Sequence, residues 1–194
     1  VGATPVNIVT NNAARMVIAA DGNVGISSVP DSWVALTSLD ISQSASFAGH
    51  DSQNAAYFMN NLYFNGSAWT TKNTGTSSGI VLDNISNYIS FYQNASASAD
   101  TGVSLQERMK IDGSGRVTMP YQPSFRAYLV ASASASSVVL WSGTFHNTGS
   151  HFSTSTGRFT APVAGLYQFS YYYLSQNSGT QVSAMLRINA AGNV

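Results

Sequence analysis

Thr156-Gly157-Arg158-Phe159-Thr160-Ala161-Pro162-Val163-Ala164-Gly165-Leu166-Tyr167-Gln168-Phe169-Ser170 decides how the rest of the chain is read. Phe159 and Ala161 alternate with Arg158 and Thr160, the period of two that marks a half-buried strand. Pro162 to Gly165 then breaks the run, because proline cannot donate to a sheet ladder and glycine accepts turn dihedrals. The reading is strand, corner, strand. Beyond the corner Tyr167, Phe169, Tyr171 and Tyr173 fall on one face, and Leu166, Gln168, Ser170, Tyr172 and Leu174 form a mixed opposite face. A strand with apolar groups on both faces needs more partner surface than one chain supplies, so an intertwined homotrimer is expected, with Phe159, Tyr167 and Phe169 in its core.

Composition narrows the partners. Of 194 residues only 8% are charged, against about 25% in ordinary globular proteins, so solvated surface must be built from Ser, Thr, Asn and Gly. Eight basic residues balance eight acidic ones, which removes the electrostatic attraction behind nucleic-acid binding and polybasic membrane attachment. Nucleic acid is excluded as a partner. No apolar run approaches the length of a membrane span, so membrane insertion is not expected either. The absence of cysteine rules out a disulfide framework and fits folding in a reducing cytosol. A start at Val1 and an end in Ala190-Ala191-Gly192-Asn193-Val194, turn chemistry followed by the opening of another strand, read as an excerpt from a longer polypeptide.

An internal repeat organises the first part of the chain. Residues 15–26, Arg-Met-Val-Ile-Ala-Ala-Asp-Gly-Asn-Val-Gly-Ile, align without gaps on residues 108–119, Arg-Met-Lys-Ile-Asp-Gly-Ser-Gly-Arg-Val-Thr-Met. Each copy reads as a hairpin with a Gly-containing turn. Met16, Ile18, Met109 and Ile111 are expected to point inward, because a lone hairpin is marginal in water and must bury its apolar face. Further short strands follow at Tyr57-Phe58-Met59, Leu62-Tyr63-Phe64, Ile80-Val81-Leu82 and Tyr88 to Tyr92, joined by polar turns. Ala45 to Ala56 and Asn94 to Thr101 have the alanine and serine for a helical turn but no sustained 3.6-residue stripe. The whole chain is therefore expected to be all-β.

Trp141 to Phe145, His151-Phe152, the Thr156–Val163 run and Gly165-Leu166-Tyr167-Gln168-Phe169-Ser170 resemble the globular domain of C1q and tumour-necrosis-factor-like proteins. That resemblance implies a trimeric jelly-roll β-sandwich, of which residues 123–194 cover the first half. Leu62-Tyr63-Phe64-Asn65-Gly66-Ser67-Ala68-Trp69, a polar middle and Glu107-Arg108-Met109-Lys110-Ile111-Asp112 resemble modules in the distal part of bacteriophage tail fibres of the marine phage type, over about Ala14 to Pro120. Together they imply a trimeric β-rich fibre shaft over residues 1–122 and a jelly-roll head over 123–194.

Signals for catalysis are weak. Gly75-Thr76-Ser77-Ser78-Gly79 formally matches G-x-S-x-G, but a nucleophile elbow needs a helix after the serine, and the segment reads as a Ser/Thr/Gly loop before the strand at Ile80. Glycoside cleavage needs two flanking carboxyls, whereas Glu107 is the sole glutamate and Asp21, Asp83 and Asp112 occupy turn contexts. Asp21-Gly22-Asn23 lacks the ligand pattern of a calcium loop. His146 and His151 read as surface or packing residues on a loop, although one histidine per chain on a threefold axis would give a three-nitrogen site. Three glycosylation sequons, at Asn65, Asn84 and Asn94, read as chance matches in an Asn- and Ser-rich chain. Trp33, Trp69, Trp141 and the tyrosines suit sugar stacking, but the same aromatics are what a β core uses, and most of them are expected to be buried.

The expectation is a non-enzymatic structural and receptor-binding component of a bacteriophage tail fibre. It would be located in the virion after folding in the host cytoplasm, and would partner itself, other tail proteins and a host-surface glycan or protein. No metal or cofactor is called for, and the receptor contacts are assigned to Phe145, His146, Asn147, Thr148, Ser150 and His151. The alternatives are an extracellular C1q-like adhesin of a cellular organism, or a fibre-borne glycan depolymerase whose catalytic residues lie elsewhere.

Overall fold

Short apolar runs between Asn, Gly and Ser turns can satisfy their backbone hydrogen bonds only by pairing with one another. A computed structural model describes residues 4–50, 52–130 and 138–172. Among these there is no helix, and the chain is all-β. The chain divides after Thr160 into two compact units.

The first unit is dominated by a ten-stranded sheet. Its members are β1 (Val6–Thr10), β2 (Ala13–Ile18), β3 (Val24–Ile26), β4 (Leu36–Ile41), β5 (Ala45–His50) and β6 (Ala55–Asn60). Two strands outside the sheet, β7 (Leu62–Phe64) and β8 (Trp69–Thr71), intervene before β9 (Gly75–Asp83) and β10 (Tyr88–Ala97). After β11 (Gly102–Val103) the sheet is completed by β12 (Glu107–Asp112) and β13 (Val117–Thr118). All its pairs are antiparallel except β3 with β4, which are joined by a crossover carrying Trp33. Ala45 to Ala56, where a helical turn was conceivable, is instead β5 and the start of β6, and Asn94 to Ala97 prolongs β10. Gly75 to Gly79 is strand rather than loop, because Gly79, Ser78 and Ser77 pair with Tyr92, Gln93 and Asn94. With strand on both sides of Ser77 and no helix after it, the hydrolase pattern has no elbow.

Both copies of the repeat fold alike. Ile18 pairs with Val24 and Val17 with Gly25; at the same offsets Ile111 pairs with Val117 and Lys110 with Thr118. Each turn is closed by equivalent bonds, the amide of Ala19 to the carbonyl of Asn23 (2.8 Å) and that of Asp112 to Arg116 (3.0 Å). Gly22 and Gly115, also equivalent, take φ of 91° and 77°, where a β-carbon is disfavoured.

Strand alternation gives the sheet two faces. On the inner face Leu36, Ala48, Met59 and Val81 are buried beneath a small sheet of order β11-β8-β7, with Leu62, Tyr57 and Trp69 filling the space. The opposite face carries a row that steps one residue per strand, Val6, Ile18, Val24, Leu39 and Phe47. It continues without interruption through Phe58, Ile80, Phe91 and Met109. Every residue in the row is apolar. Among the described residues nothing covers this face, and Phe47 and Phe58, with ring centroids 4.7 Å apart, remain 46% and 47% exposed.

Two hairpin-like ladders follow, β14 (Ser124–Tyr128) with β15 (Gly143–Thr148) and β16 (Phe152–Ser153) with β17 (Arg158–Phe159). Phe125 stacks on Phe152 at 4.2 Å and on Phe159 at 5.4 Å, with Trp141 edge-on to Phe152. The short strand expected at Arg158-Phe159 is present, but the second half of the strand, corner, strand reading is not: residues 161–172 form no strand. A strand is defined by the ladder it joins, and no ladder forms among the described residues of this second unit. In it Tyr167 donates its hydroxyl proton to the Val163 carbonyl at 2.8 Å. Tyr173, Leu174 and the stretch Ala190 to Val194 lie outside the described residues.

Candidate binding surfaces

The segment singled out for receptor contact is a strand edge rather than a loop. Phe145, His146, Asn147 and Thr148 belong to β15, held by pairing of His146 with Arg126 and of Asn147 with Phe125, and only Gly149-Ser150 turns the chain, with φ of 77° and 57°. A bulge at Phe145, where Arg126 pairs with His146 and Ala127 with Thr144, turns its ring to the Arg126 and Tyr128 face, away from Asn147. Phe145 is 65% exposed, tilted against Tyr128 at 4.8 Å, with the Arg126 guanidinium 4.7 Å above its ring. His146 and Ser150 are also exposed.

The remaining members of the segment are committed to the fold. Asn147 donates its amide proton to the Phe152 carbonyl at 2.7 Å and accepts from the Phe152 amide at 3.1 Å, so both ends of its side chain are occupied. Thr148 lies within hydrogen-bond reach of Ser124 at 3.3 Å. His151 is half-buried and edge-on to Phe159 at 6.4 Å, its ring filling the space where a β-carbon on Gly149 would stand. That is a packing histidine. Among the described residues no three His, Asp or Glu side chains gather as a metal site.

Met16, Ile18, Met109 and Ile111 are each half-buried and all lie on the uncovered face, while Val17, between the first two, is buried on the inner side. Phe159 is half-buried in the Phe125–Phe152 stack, and Phe169 is partly exposed.

Sequence reading missed a buried ionic group. The Lys72 ammonium forms ion pairs with Asp31 at 2.8 Å and Asp40 at 2.9 Å, and Asp40 also accepts from the Trp33 indole at 3.2 Å and the Asp31 amide at 2.8 Å. Nothing in the spacing of Asp31, Asp40 and Lys72 signals this, since the residues meet only when β4 and the segment after β8 are brought face to face. Trp33 thereby proves to be core. Trp69 packs against Trp33, Tyr57 and Phe64, leaving a cleft of about 180 Å³ bounded also by Leu36, His50 and Gln53. Asn94 is buried, accepting from the Gln106 amide at 2.9 Å, which removes one of the three sequons from solvent.

Asp83 and Asp112 flank Tyr88, paired with it from the strands on either side. Amide bonds from Ser86 and Ile85 hold the Asp83 carboxyl below the usual range, and the Arg116 side chain does the same for Asp112. Burial, with Tyr92 and Asp83 alongside, pushes the Tyr88 hydroxyl well above its ordinary value. A glycosidase acid needs a carboxyl raised towards neutrality; both carboxyls here move the other way, and each serves a turn.

Residues 124–193 match the C1q domain. C1q domains are non-catalytic binding modules of the jelly-roll type, and the aromatic cluster around Phe125 lies within the matched residues. No curated protein and no solved structure matches the chain.

Proposed function

We propose that the chain is a structural and receptor-binding segment of a viral tail fibre of the bacteriophage kind. In this reading residues 1–122 are shaft and the C1q domain is the beginning of a head that attaches to the host surface. The single observation behind it is the order of parts: a charge-poor segment of short β-strands with a duplicated hairpin leads directly into a C1q domain. C1q domains typically form trimers, so the assembly is a homotrimer joined to other tail proteins, acting outside the host cell and without catalysis. An extracellular adhesin of a cellular organism would share the binding module, and differs in what would be found upstream.

Attachment falls to the exposed part of β15 and its turn, namely Phe145, His146 and Ser150. With zero formal charge, a neutral host glycan or protein fits better than an anionic one, since stacking and hydrogen bonds survive salt while Coulomb attraction is screened over about 8 Å. Three sites per trimer offset weak individual contacts. The test is adsorption of the fibre tip to host cells from about 50 to about 500 mM salt. Near-constant adsorption is expected; collapse with salt refutes a neutral receptor, and no adsorption to any bacterial host refutes the fibre reading.

A further inference from the structure

A sheet with one solvated face ordinarily alternates apolar inward and polar outward. The ten-stranded sheet here departs from that: Ser38, Asp40, Ser46, Ser77 and Ser90 are buried among the apolar residues of its inner face, while the outward face presents Phe47, Phe58, Ile80, Leu82 and Ile89 at more than a third exposure. No charged side chain occurs in its outward rows. Val6, Ile8, Ile41 and Val117 extend the same face at 49–58% exposure. A contiguous, charge-free apolar face of this kind on a protein surface marks a protein–protein contact.

We propose that this outward face is the surface on which copies of this chain assemble, with the β2–β3 end of each copy seated beside the β12–β13 end of the next. The inference rests on the trimeric fibre reading and adds the surface and its polarity. A charge-free apolar β surface is matched by another of the same kind, and the chain itself carries one. The C1q domain, covalently attached to every copy, keeps the faces at high effective concentration. The two ends are related by the repeat, presenting Met16, Ile18 and Val24 at one and Met109, Ile111 and Val117 at the other in the same register. Two similar but non-identical ends suit a heterologous contact, which closes into a ring when the rotation is one third of a turn.

The chain contains no cysteine, so introduced thiols are unambiguous. In the full chain, Phe58→Cys should react with maleimide at least about tenfold more slowly than Ser67→Cys, a turn control on the other side of the molecule. In the double variant Val24→Cys/Val117→Cys, a short bis-maleimide should give covalent trimers. The two positions lie seven strand spacings apart within one chain, about 34 Å, too far for an internal link. Mass by light scattering is measured on each variant. If the Phe58→Cys trimer reacts as fast as the Ser67→Cys control, the face assignment is overturned and the fibre reading is left standing. A trimer in which the Phe58→Cys thiol is protected but the double variant gives no cross-linking overturns the end-to-end polarity. A monomeric unsubstituted chain overturns both the interface and the homotrimer on which it rests.

Discussion

The Lys72 ammonium lies 2.9 Å from the Asp40 carboxylate, with the two side chains only 3% and 1% exposed. It ties the segment following β8, in the small covering sheet, to β4 in the large one, and Asp31 completes the contact at 2.8 Å. Removing one member of a buried ion pair leaves the other charge without compensation, which costs about 3–5 kcal/mol. Lys72→Met keeps the length of the stem and deletes the charge, so it should lower stability by about that much in a denaturant titration at fixed chain concentration. A loss below about 1 kcal/mol would mean that Asp40 is satisfied by Trp33 and the Asp31 amide alone.

Asn23 and Arg116 occupy the same position in the two copies of the repeat but not the same environment. The Asn23 carboxamide is buried and accepts from the Ser38 amide at 2.8 Å and its hydroxyl at 3.2 Å, locking the first turn to β4. Arg116 is exposed and pairs with Asp112 at 2.7 Å. Asn23→Ala should cost about 1–3 kcal/mol by orphaning a buried donor, and Arg116→Ala no more than about 1 kcal/mol, as for a surface pair. Thermal melts of the two variants side by side decide this, and equal losses would contradict it.

The all-β class was legible because it depends on local signals: period-two runs such as Tyr57-Phe58-Met59, turn residues between them, and no helical stripe. The equivalence of the two hairpins could be read from identical residues at identical offsets. What could not be read depends on neighbours distant in sequence. The pairing of Gly79 with both Met59 and Tyr92, which turned an expected loop into strand, is set by long-range register. For the same reason Asn147 resembled a free recognition amide in sequence, and only the fold shows it spent on Phe152. The Lys72 cluster had no local signature at all.

Acid stability should report on Asp83. Amide bonds to the ionised carboxyl from Ser86 and Ile85 depress its pKa in the folded chain. A depressed carboxylate contributes stability that is complete above the unfolded value near 3.9 and is lost as pH falls through the folded value. Stability should therefore be level from neutrality to about pH 5 and decline below about pH 4. Asp83→Asn can keep the turn bonds but cannot titrate, so its decline should be shallower, by less than about 0.5 kcal/mol because the site is solvated. Urea midpoints measured from pH 7 to pH 2.5 test the sign; a steeper decline in the variant would contradict it.

Folding and attachment should separate within β15. Asn147 bonds both the amide and the carbonyl of Phe152, whose ring is buried against Phe125, so Asn147→Ala leaves two backbone groups unpartnered beside an aromatic core. A loss of about 1–3 kcal/mol is expected, seen as a lower melting temperature. Phe145 lies on the other face of the same strand and is largely exposed, so Phe145→Ala removes little burial and should shift stability by no more than about 0.5 kcal/mol. If the exposed ring contacts the receptor, the same variant should reduce adsorption of the trimer to host cells at least about tenfold, the share of one aromatic anchor. The decisive comparison is melting and adsorption measured on both variants in one buffer. Normal adsorption by a stable Phe145→Ala protein moves the receptor site away from β15, and an unchanged melting temperature for Asn147→Ala removes the structural role assigned to its amide.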